Sequence, residues 1–371
     1  MKKKWIVVLA AMVLATAVAV CQEKVPPYLV IEDIDDEGYG IHGKVVVKVT
    51  DPVEVPAHVK IPNGIVAIDD YAFEDCTSLT SVTIPEGVTK IGNSAFSGCM
   101  SLARVTIPDS VTAIGESAFD GCIALTSVTI PRSVEGIGGG SFEDCKDIEV
   151  IYKGTFKDWC AVDWDDSLLE HAKSITLSDE IDMKKLTKID AGDLKGVTRI
   201  GEYAFEKCMS LVSVTIPEDV TEIGDGAFSV CRSLTSVTIP NSVTKISNSA
   251  FSGCTSLASI TIPASVTHIG TYAFSGCTSL KSVVIPRGVT TIGGFGVFEG
   301  CTSLASVTIP RSVTKIDSRA FSKCSPNLKI QYDGTKTPWN AISKGENSIY
   351  SILQTIGSFI VQCTDGVVTE K

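Results

Sequence analysis

The sequence is short of aromatic side chains and of histidine. Phe, Trp and Tyr make up 7% of its 371 residues, against 44% for all hydrophobic residues, so a core built on a few large rings is not expected. The four histidines are scattered, at His42, His58, His171 and His268. Motifs of zinc proteases, serine hydrolases, phosphate loops and Cys-x-x-Cys ligand pairs are absent. The sequence therefore predicts no catalytic, cofactor or metal site.

Positive charge and long apolar runs are also scarce. Lys and Arg number 32 against 43 Asp and Glu, which gives a formal net charge of -11. An acidic surface repels nucleic acid and anionic lipid, so we expect neither as a partner. Beyond residue 20 no segment approaches the roughly 18 apolar residues of a membrane-spanning helix.

Residues 1–20 have the pattern of a signal peptide, with Lys2–Lys4, an apolar stretch and a run of small residues. Two cleavage sites compete. Ala17-Val18-Ala19 suits an ordinary signal peptidase, whereas Val18–Cys21 is similar to a bacterial lipoprotein box in which Cys21 would carry lipid. Val20 departs from that box, since a small residue normally precedes the cysteine. We expect an exported protein, either secreted or attached to the cell surface through a lipid anchor at Cys21.

What the chain has in abundance is repetition with a period of 23 residues. The period is marked by Phe73, Phe96, Phe119, Phe142, Phe205, Phe228, Phe251, Phe274, Phe298 and Phe321. One clean copy runs from Leu79 to Cys99. A unit of this length cannot bury its own apolar side, so the copies are expected to stack into a solenoid.

Within a copy, Leu79–Ile84 alternates apolar and polar residues as a strand does, and Pro85 ends it by removing a ladder donor. A polar turn follows, and Val88–Ile91 predicts a second short strand. Ala95–Cys99 has the spacing of a single helical or 3₁₀ turn. Each copy is therefore predicted to form one complete coil.

Ten of the 13 cysteines lie in the repeat, three residues after a repeat phenylalanine. They are Cys76, Cys99, Cys122, Cys145, Cys208, Cys231, Cys254, Cys277, Cys301 and Cys324. Adjacent coils would hold these thiols about 4.8 Å apart, farther than the ~3.8 Å usual between disulfide Cβ atoms. We therefore favour a ladder of reduced, buried thiols.

The repeat Leu-x-x-Val-Thr-Ile-Pro-x-x-Val-Thr-x-Ile-Gly-x-x-Ala-Phe-x-x-Cys resembles the BspA-like, Treponema-type leucine-rich repeat family over about residues 55–330. The resemblance implies a repeat solenoid, a right-handed coil of short parallel β-strands with short helical or 3₁₀ turns, here capped at both ends. It also implies a non-catalytic protein outside a bacterial cell that binds an extracellular, host or neighbouring-cell protein or glycoprotein. The alternative is a structural envelope or matrix component without a specific ligand.

The array is interrupted once. Residues 148–155 and Trp159 replace the repeat. A similar sequence motif recurs 180 residues later, at residues 328–335 and Trp339. We predict a signal peptide (1–20), N-terminal cap (21–54), first array (55–147), island (148–196), second array (197–327) and C-terminal island with cap (328–371). The acidic stretch Glu32–Gly38 is interpreted as a solvated turn, because Lys44 stands where a calcium loop needs glutamate. Residues 359–366 predict a terminal hairpin.

Four aromatic residues that depart from the repeat are the candidate partner contacts: Trp164, Tyr203, Tyr272 and Phe295. Trp164 lies beside the acids Asp163, Asp165 and Asp166 of the island and has no counterpart in the second island, so we expect it to contact a partner. The alternative for this cluster is that Trp159 packs in the core, as Trp339 would, while the acids face water. The outward residues of the first strands, such as Ser81 and Thr83, predict a face lined with hydroxyl groups. Such a face suits solubility or docking.

Overall fold

The computed structural model describes residues 26–36, 41–317, 319–344 and 359–370. The predicted signal peptide, Cys21 and residues 345–358 of the C-terminal cap lie outside the described residues. The chain forms a parallel β-solenoid of about 13 turns with few helices, which confirms the predicted fold class. In each regular coil a first strand, a turn after proline, a second strand and a compact turn follow one another.

The strands are short, and most hold two to five residues. In chain order they are β1 (Leu29–Asp36), β2 (Ile41–Val49), β3 (His58–Lys60), β4 (Ile65–Ile68), β5 (Ser81–Thr83), β6 (Lys90–Ile91), β7 (Arg104–Thr106), β8 (Ala113–Ile114), β9 (Ser127–Ile130), β10 (Gly136–Ile137), β11 (Ile148–Tyr152), β12 (Ala172–Thr176), β13 (Lys188–Ile189), β14 (Arg199–Ile200), β15 (Ser213–Thr215), β16 (Glu222–Ile223), β17 (Ser236–Thr238), β18 (Lys245–Ile246), β19 (His268–Ile269), β20 (Ser282–Val284), β21 (Thr291–Ile292), β22 (Ser306–Pro310), β23 (Lys315–Ile316), β24 (Lys329–Asp333), β25 (Ser343–Lys344), β26 (Phe359–Cys363) and β27 (Gly366–Glu370). The helices are α1 (Phe156–Ala161), α2 (Asp166–His171) and α3 (Lys336–Ala341), with a 3₁₀ turn at Met183–Lys185.

First and second strands form two separate parallel columns. In the first half, β3, β5, β7, β9, β11 and β12 stack as one sheet, and β2, β4, β6, β8 and β10 stack as the other. Val59 pairs with Val82, and Lys90 pairs with Ala113. Each partner is 23 residues further along the chain, so equivalent positions of successive copies lie on one another.

Stacked phenylalanine rings fill the interior, as the period predicts. Neighbouring rings lie 5.0 Å apart at Phe73 and Phe96 and 5.6 Å apart at Phe274 and Phe298, between nearly parallel planes. The column is broken at the island, where the Phe156 ring tilts against Phe205 at 5.8 Å. Within each array every ring stacks on its neighbours, and the buried side chains of the island join the two arrays into one continuous core.

The repeat thiols are buried beside this column. Cys99 Sγ donates to the carbonyl of Phe73 at 3.2 Å, and Cys122 Sγ donates to that of Phe96 at the same distance. The same bond recurs down the second array, for example from Cys254 to Phe228 at 3.1 Å. Each thiol therefore fills a small apolar space and satisfies a backbone carbonyl of the preceding coil.

Two positions in the compact turn have left-handed backbone. The second residue before each repeat phenylalanine has φ between 50° and 68°, as at Tyr71, Ser94 and Gly140. The residue before each repeat cysteine has φ between 52° and 73°. Glycine accepts this conformation without strain, which explains Gly98 and its equivalents. Val230 takes the same conformation with φ 57° although its side chain is β-branched.

The island continues the second-strand column. Ile137 N–H donates to Asp163 O at 3.2 Å, and Trp164 N–H donates to Glu202 O at 3.0 Å. Helix α2 replaces the compact turn, and its N-cap Asp165 accepts a bond from Gly140 N–H at 3.0 Å. The expectation that the island acids face water is wrong for Asp165, which is buried because its carboxylate caps the last turn of the first array.

Antiparallel hairpins close both ends of the described solenoid. At one end β1 pairs with β2, and β2 continues into the parallel column through β4. The interpretation of the acidic stretch as a turn is wrong for Glu32–Asp36, which lie in strand β1, and Glu37–Gly38 lie outside the described residues. At the other end β26 and β27 form the predicted hairpin, with Cys363 opposite Gly366. Strand β13 pairs with β15, so stacking begins before residue 197.

Candidate interaction surface

Trp164 lies in the core of the island. It is 2% exposed and stacks on Trp159 with 3.7 Å between ring centroids, and its Nε1 donates to Trp159 O at 2.8 Å. Trp159 Nε1 in turn donates to Ala204 O at 2.7 Å. The prediction that Trp164 is an exposed partner contact is therefore wrong, because its ring and its indole N–H are both used against Trp159 in the core of the island. The alternative that Trp159 packs in the core is confirmed, since its side chain is fully buried.

Tyr203 and Tyr272 are half buried instead of fully exposed. A Cβ atom on Gly226, one coil after Tyr203, would lie 2.5 Å from Tyr203 Cδ1. A Cβ on Gly296 would likewise lie 2.7 Å from Tyr272 Cε1. Each tyrosine ring therefore lies flat over a glycine of the next coil. Only part of each ring is left to contact another molecule.

Phe295 is exposed, as predicted. It is 56% exposed and lies in the one-residue insertion between Gly294 and Gly296. Its carbonyl accepts from Tyr272 N–H at 2.9 Å, which fixes the inserted turn to the preceding coil. An apolar ring held outward by an ordered backbone is the kind of anchor that contributes most to a protein interface.

Tyr71 was not predicted, although it is 57% exposed. It occupies the same turn position as Tyr203 and Tyr272, before Ala72-Phe73, and the next coil has Ser94 where theirs have glycine. The position of Tyr71 in the repeat could therefore have identified it as a candidate from the sequence. The difference lies in the following coil, which offers no glycine over which the ring could lie flat.

The outward face of the first strands carries hydroxyl groups, as predicted. Val82 of β5 points inward, whereas Ser81 and Thr83 point outward, and the same alternation recurs in β15 and β17. Large side chains replace the small ones at a few places on this face. Arg104 and Glu149 stand in the serine position, and Ile151, Val284 and Gln331 stand in the threonine position.

The first groove on this face has a volume of about 550 Å³ and spans β7, β9, β11 and β12. It is lined by Arg104, Thr126, Ser127, Asp147, Glu149 and Lys173. Glu149 Oε1 lies 3.8 Å from Lys173 Nζ, and both side chains are more than half exposed. The groove thus offers hydroxyls and both signs of charge, with the exposed Ile151 of β11 beside them.

Two further grooves lie along the turns after proline. One of about 340 Å³ contains Asp109, Arg132 and Lys153, and one of about 370 Å³ contains Val284, Arg287 and Asp333. The second is the more apolar, since Ile262, Ile285, Pro286 and Pro310 also line it and Val284 is exposed.

An ion pair crosses two coils in each of these grooves. Lys153 Nζ lies 2.7 Å from Asp109 Oδ1, and Arg287 Nη2 lies 3.5 Å from Asp333 Oδ2. Lys153 and Asp333 each follow the tyrosine of their island, so the two pairs occupy equivalent places with the charges exchanged. The two halves share a scaffold and differ in the charge they present.

One carboxyl group at the join between island and second array is buried without a full set of partners. Glu206 is 8% exposed, its Oε2 has no hydrogen-bond partner, and its Oε1 lies 4.0 Å from Lys207 Nζ. Burial raises the pKa of Glu206 to about 7, with Lys207 opposing the shift. Lys207 is itself held by Glu170, at 2.7 Å.

Burial also raises the pKa of Asp165, although bonds from Ser167 and Gly140 oppose the shift. Asp165 accepts from Ser167 and Glu206 has a side-chain bond with Ser229, but in the described residues no histidine is bonded to either carboxyl group. Among the described residues, no group of three or more His, Cys, Asp and Glu side chains could hold a metal ion. In the same part of the chain, no helix has the length and apolar character needed to cross a membrane.

The chain is similar to several solved bacterial proteins. A leucine-rich cell surface protein from Faecalibacterium prausnitzii A2-165 is 25% identical, with 87% of this chain and 97% of that one covered and a TM-score of 0.45. The pneumococcal vaccine antigen PcpA is 20% identical, with 91% and 82% covered and a TM-score of 0.49. A leucine-rich repeat protein from Bacteroides ovatus ATCC 8483 is 24% identical, with 88% and 99% covered and a TM-score of 0.35. No curated protein sequence matches the chain.

A model of the BspA type leucine-rich repeat region matches the chain with six copies, over residues 57–159 and 195–330. These ranges hold more than half of the chain and coincide with the stacked phenylalanine and thiol columns described above. The chain belongs to the BspA-type leucine-rich repeat family.

Proposed function

We propose that the protein is an exported, non-catalytic scaffold that binds an extracellular protein or glycoprotein of a host or neighbouring cell. One observation carries the proposal. The buried positions repeat almost without change, whereas the outward positions break the repeat with large side chains such as Arg104, Ile151, Val284 and Phe295. A rigid interior with a varied surface suits recognition by a few anchors spread over a long face.

Val284 and Phe295 are the anchors that we assign to this surface. Val284 forms part of the wall of the apolar groove, at a position where most other coils have threonine, and Phe295 projects from the insertion of the next compact turn. Burying both side chains in a partner would remove apolar surface from water, and the Arg287–Asp333 pair at the groove would give polar contacts at the rim.

The binding test uses the fluorescently labelled protein on intact host cells and on neighbouring bacterial cells. We expect saturable binding that is lost when the cells are first treated with protease. The double variant Val284→Thr/Phe295→Ala should weaken binding at least tenfold. Val53→Ala removes an exposed apolar side chain far from the groove and should leave binding unchanged. Binding that does not saturate, together with self-association of the protein, would instead support the structural envelope alternative.

Export and anchoring rest on residues 1–21 alone. The mass of the mature N-terminal peptide, taken from cells that make the protein, tests both. A diacylated Cys21 would attach the scaffold to a membrane surface, whereas cleavage after Ala19 would release it. An intact Met1 on the exported form would contradict the signal peptide.

A further inference from the structure

Strand β1 is the longest open strand edge at the N-terminal end of the solenoid. It has eight residues, pairs with β2 on one side, and has no described strand on its other side. Its register with β2 is continuous from Ile31 to Asp36, after a single irregularity at Val30. At ~3.4 Å per residue this regular edge is about 20 Å long, enough to pair with a segment of six residues.

An open edge of this kind leaves alternate backbone N–H and C=O groups directed away from the sheet. In the coils those groups are used by the next coil, as between β5 and β3 or β8 and β6. On the outer side of β1 no described coil follows. The backbone of β1 is therefore ready to accept another extended strand.

The negative charge of β1 favours a partner strand with positively charged side chains. Glu32 and Asp33 are exposed, and Asp35 and Asp36 belong to the same strand. A second copy of this chain that paired β1 with β1 would place these acids against each other, at a cost in free energy. A strand carrying lysine or arginine would instead place opposite charges in facing positions.

We propose that the open edge of β1 binds an extended, lysine- or arginine-rich segment of a partner protein as an added strand. Backbone hydrogen bonds would supply the affinity, and the acids would supply the choice of partner and the exclusion of self-pairing. This inference rests on the proposed function and adds to it a place and a class of partner. The outer strand β27 at the other end has an exposed Val367 and no comparable run of acids, so the inference concerns one end only.

The test uses a fluorescein-labelled peptide of nine residues that alternates lysine and valine. Fluorescence anisotropy with the full chain should show saturable binding. The same peptide with N-methyl groups on alternate residues keeps its charge but loses the backbone donors of one edge, so it should bind at least tenfold more weakly. A peptide with glutamate in place of lysine should not bind.

Variants of the protein locate the site. Glu32→Lys/Asp33→Lys should weaken binding of the lysine peptide at least tenfold. Glu86→Lys/Glu135→Lys makes the same change of charge at exposed sites elsewhere, and its affinity should stay within twofold of wild type. Equal binding of the N-methylated peptide, or equal binding by the two double variants, would overturn strand addition at β1. If strand addition fails but cell binding still depends on Val284 and Phe295, the proposed function stands. If neither the peptide binding at β1 nor this cell binding is observed, the proposed function is contradicted as well.

Discussion

The ring of Tyr203 lies over Gly226, so closely that a Cβ on that glycine would come within 2.5 Å of two ring carbons. Gly226 also has left-handed backbone, with φ 58°. The two residues are 23 positions apart in the sequence and occupy the same place in successive coils. The glycine thus serves both its own turn and the side chain stacked on it.

Gly226→Ala should therefore destabilise the protein by about 1–2 kcal/mol, since alanine is strained at this φ and its methyl group displaces the tyrosine ring. Thermal unfolding followed by circular dichroism measures the change. Gly192→Ala is the matched control, because Gly192 has open space around it. Equal melting temperatures for the two variants would contradict the ring position that we describe.

Phe228→Ala should cost on the order of 3–5 kcal/mol, because it leaves a cavity in a closely packed column. The Phe228 ring lies 5.1 Å from that of Phe205 and 5.4 Å from that of Phe251. Phe295→Ala makes the same chemical change at an exposed site and should alter stability by less than about 0.5 kcal/mol. Chemical denaturation of both variants tests this pair of values. Similar losses at the two sites would show that the column is not the core.

Glu206 should make the protein less stable as pH rises. Its pKa is raised from 4.5 to about 7 in the folded state, so between these values the folded chain keeps a proton that the unfolded chain has lost. The stabilisation is complete below pH 4.5 and is lost as pH rises through 7, by on the order of 3 kcal/mol. Glu206→Gln should flatten this part of the profile.

The measurement is the free energy of unfolding from pH 4.5 to pH 8, for wild type, Glu206→Gln and the exposed control Glu86→Gln. Subtracting the variant profile from that of wild type isolates Glu206 from other carboxyls with raised pKa, such as Asp165 and Glu202. A difference profile that does not change with pH would contradict the assignment.

The repeat cysteines should be unreactive in the folded protein at pH 8. Burial raises the pKa of Cys254 to about 12, although the hydrogen bond at the Cys231 backbone opposes the shift, and the other described repeat thiols are buried as well. Alkylation requires a deprotonated thiolate that the reagent can reach, and a buried thiol with a raised pKa provides neither. Iodoacetamide labelling followed by intact mass should show no modified repeat cysteine within an hour and complete labelling in denaturant. Rapid labelling of the native protein would contradict a buried ladder.

The period alone was enough to predict what repeats. Phe228 and Cys254 lie in columns because every coil places the same side chain on the one before, and this follows from spacing without knowledge of the fold. The hairpin at 359–370 could likewise be predicted from its Asp365-Gly366 turn. These features depend on local pattern and on the register that the pattern enforces.

What the sequence did not predict depends on how different segments meet. Trp164 and the exposed Phe295 look alike in a sequence, but helix α2 turns the tryptophan onto Trp159 whereas the insertion turns the phenylalanine outward. The burial of Asp165 depends on Gly140, whose N–H lacks the usual carbonyl of a following copy. The acids of β1 look like a turn until β2 folds back beside them.

Backbone hydrogen bonds join Ile137 to Asp163 and Trp164 to Glu202, so the second-strand column continues through the island. The two halves of the solenoid are therefore not separated by a hinge of unbonded backbone. A tensile load on one end would then be resisted by the same kind of bond at every level, and coils would peel away singly from the loaded end. Each coil of 23 residues would release roughly 80 Å of chain while removing only about 4.8 Å of stack. A rod held at one end and pulled at the other would extend in steps and keep most of its length folded.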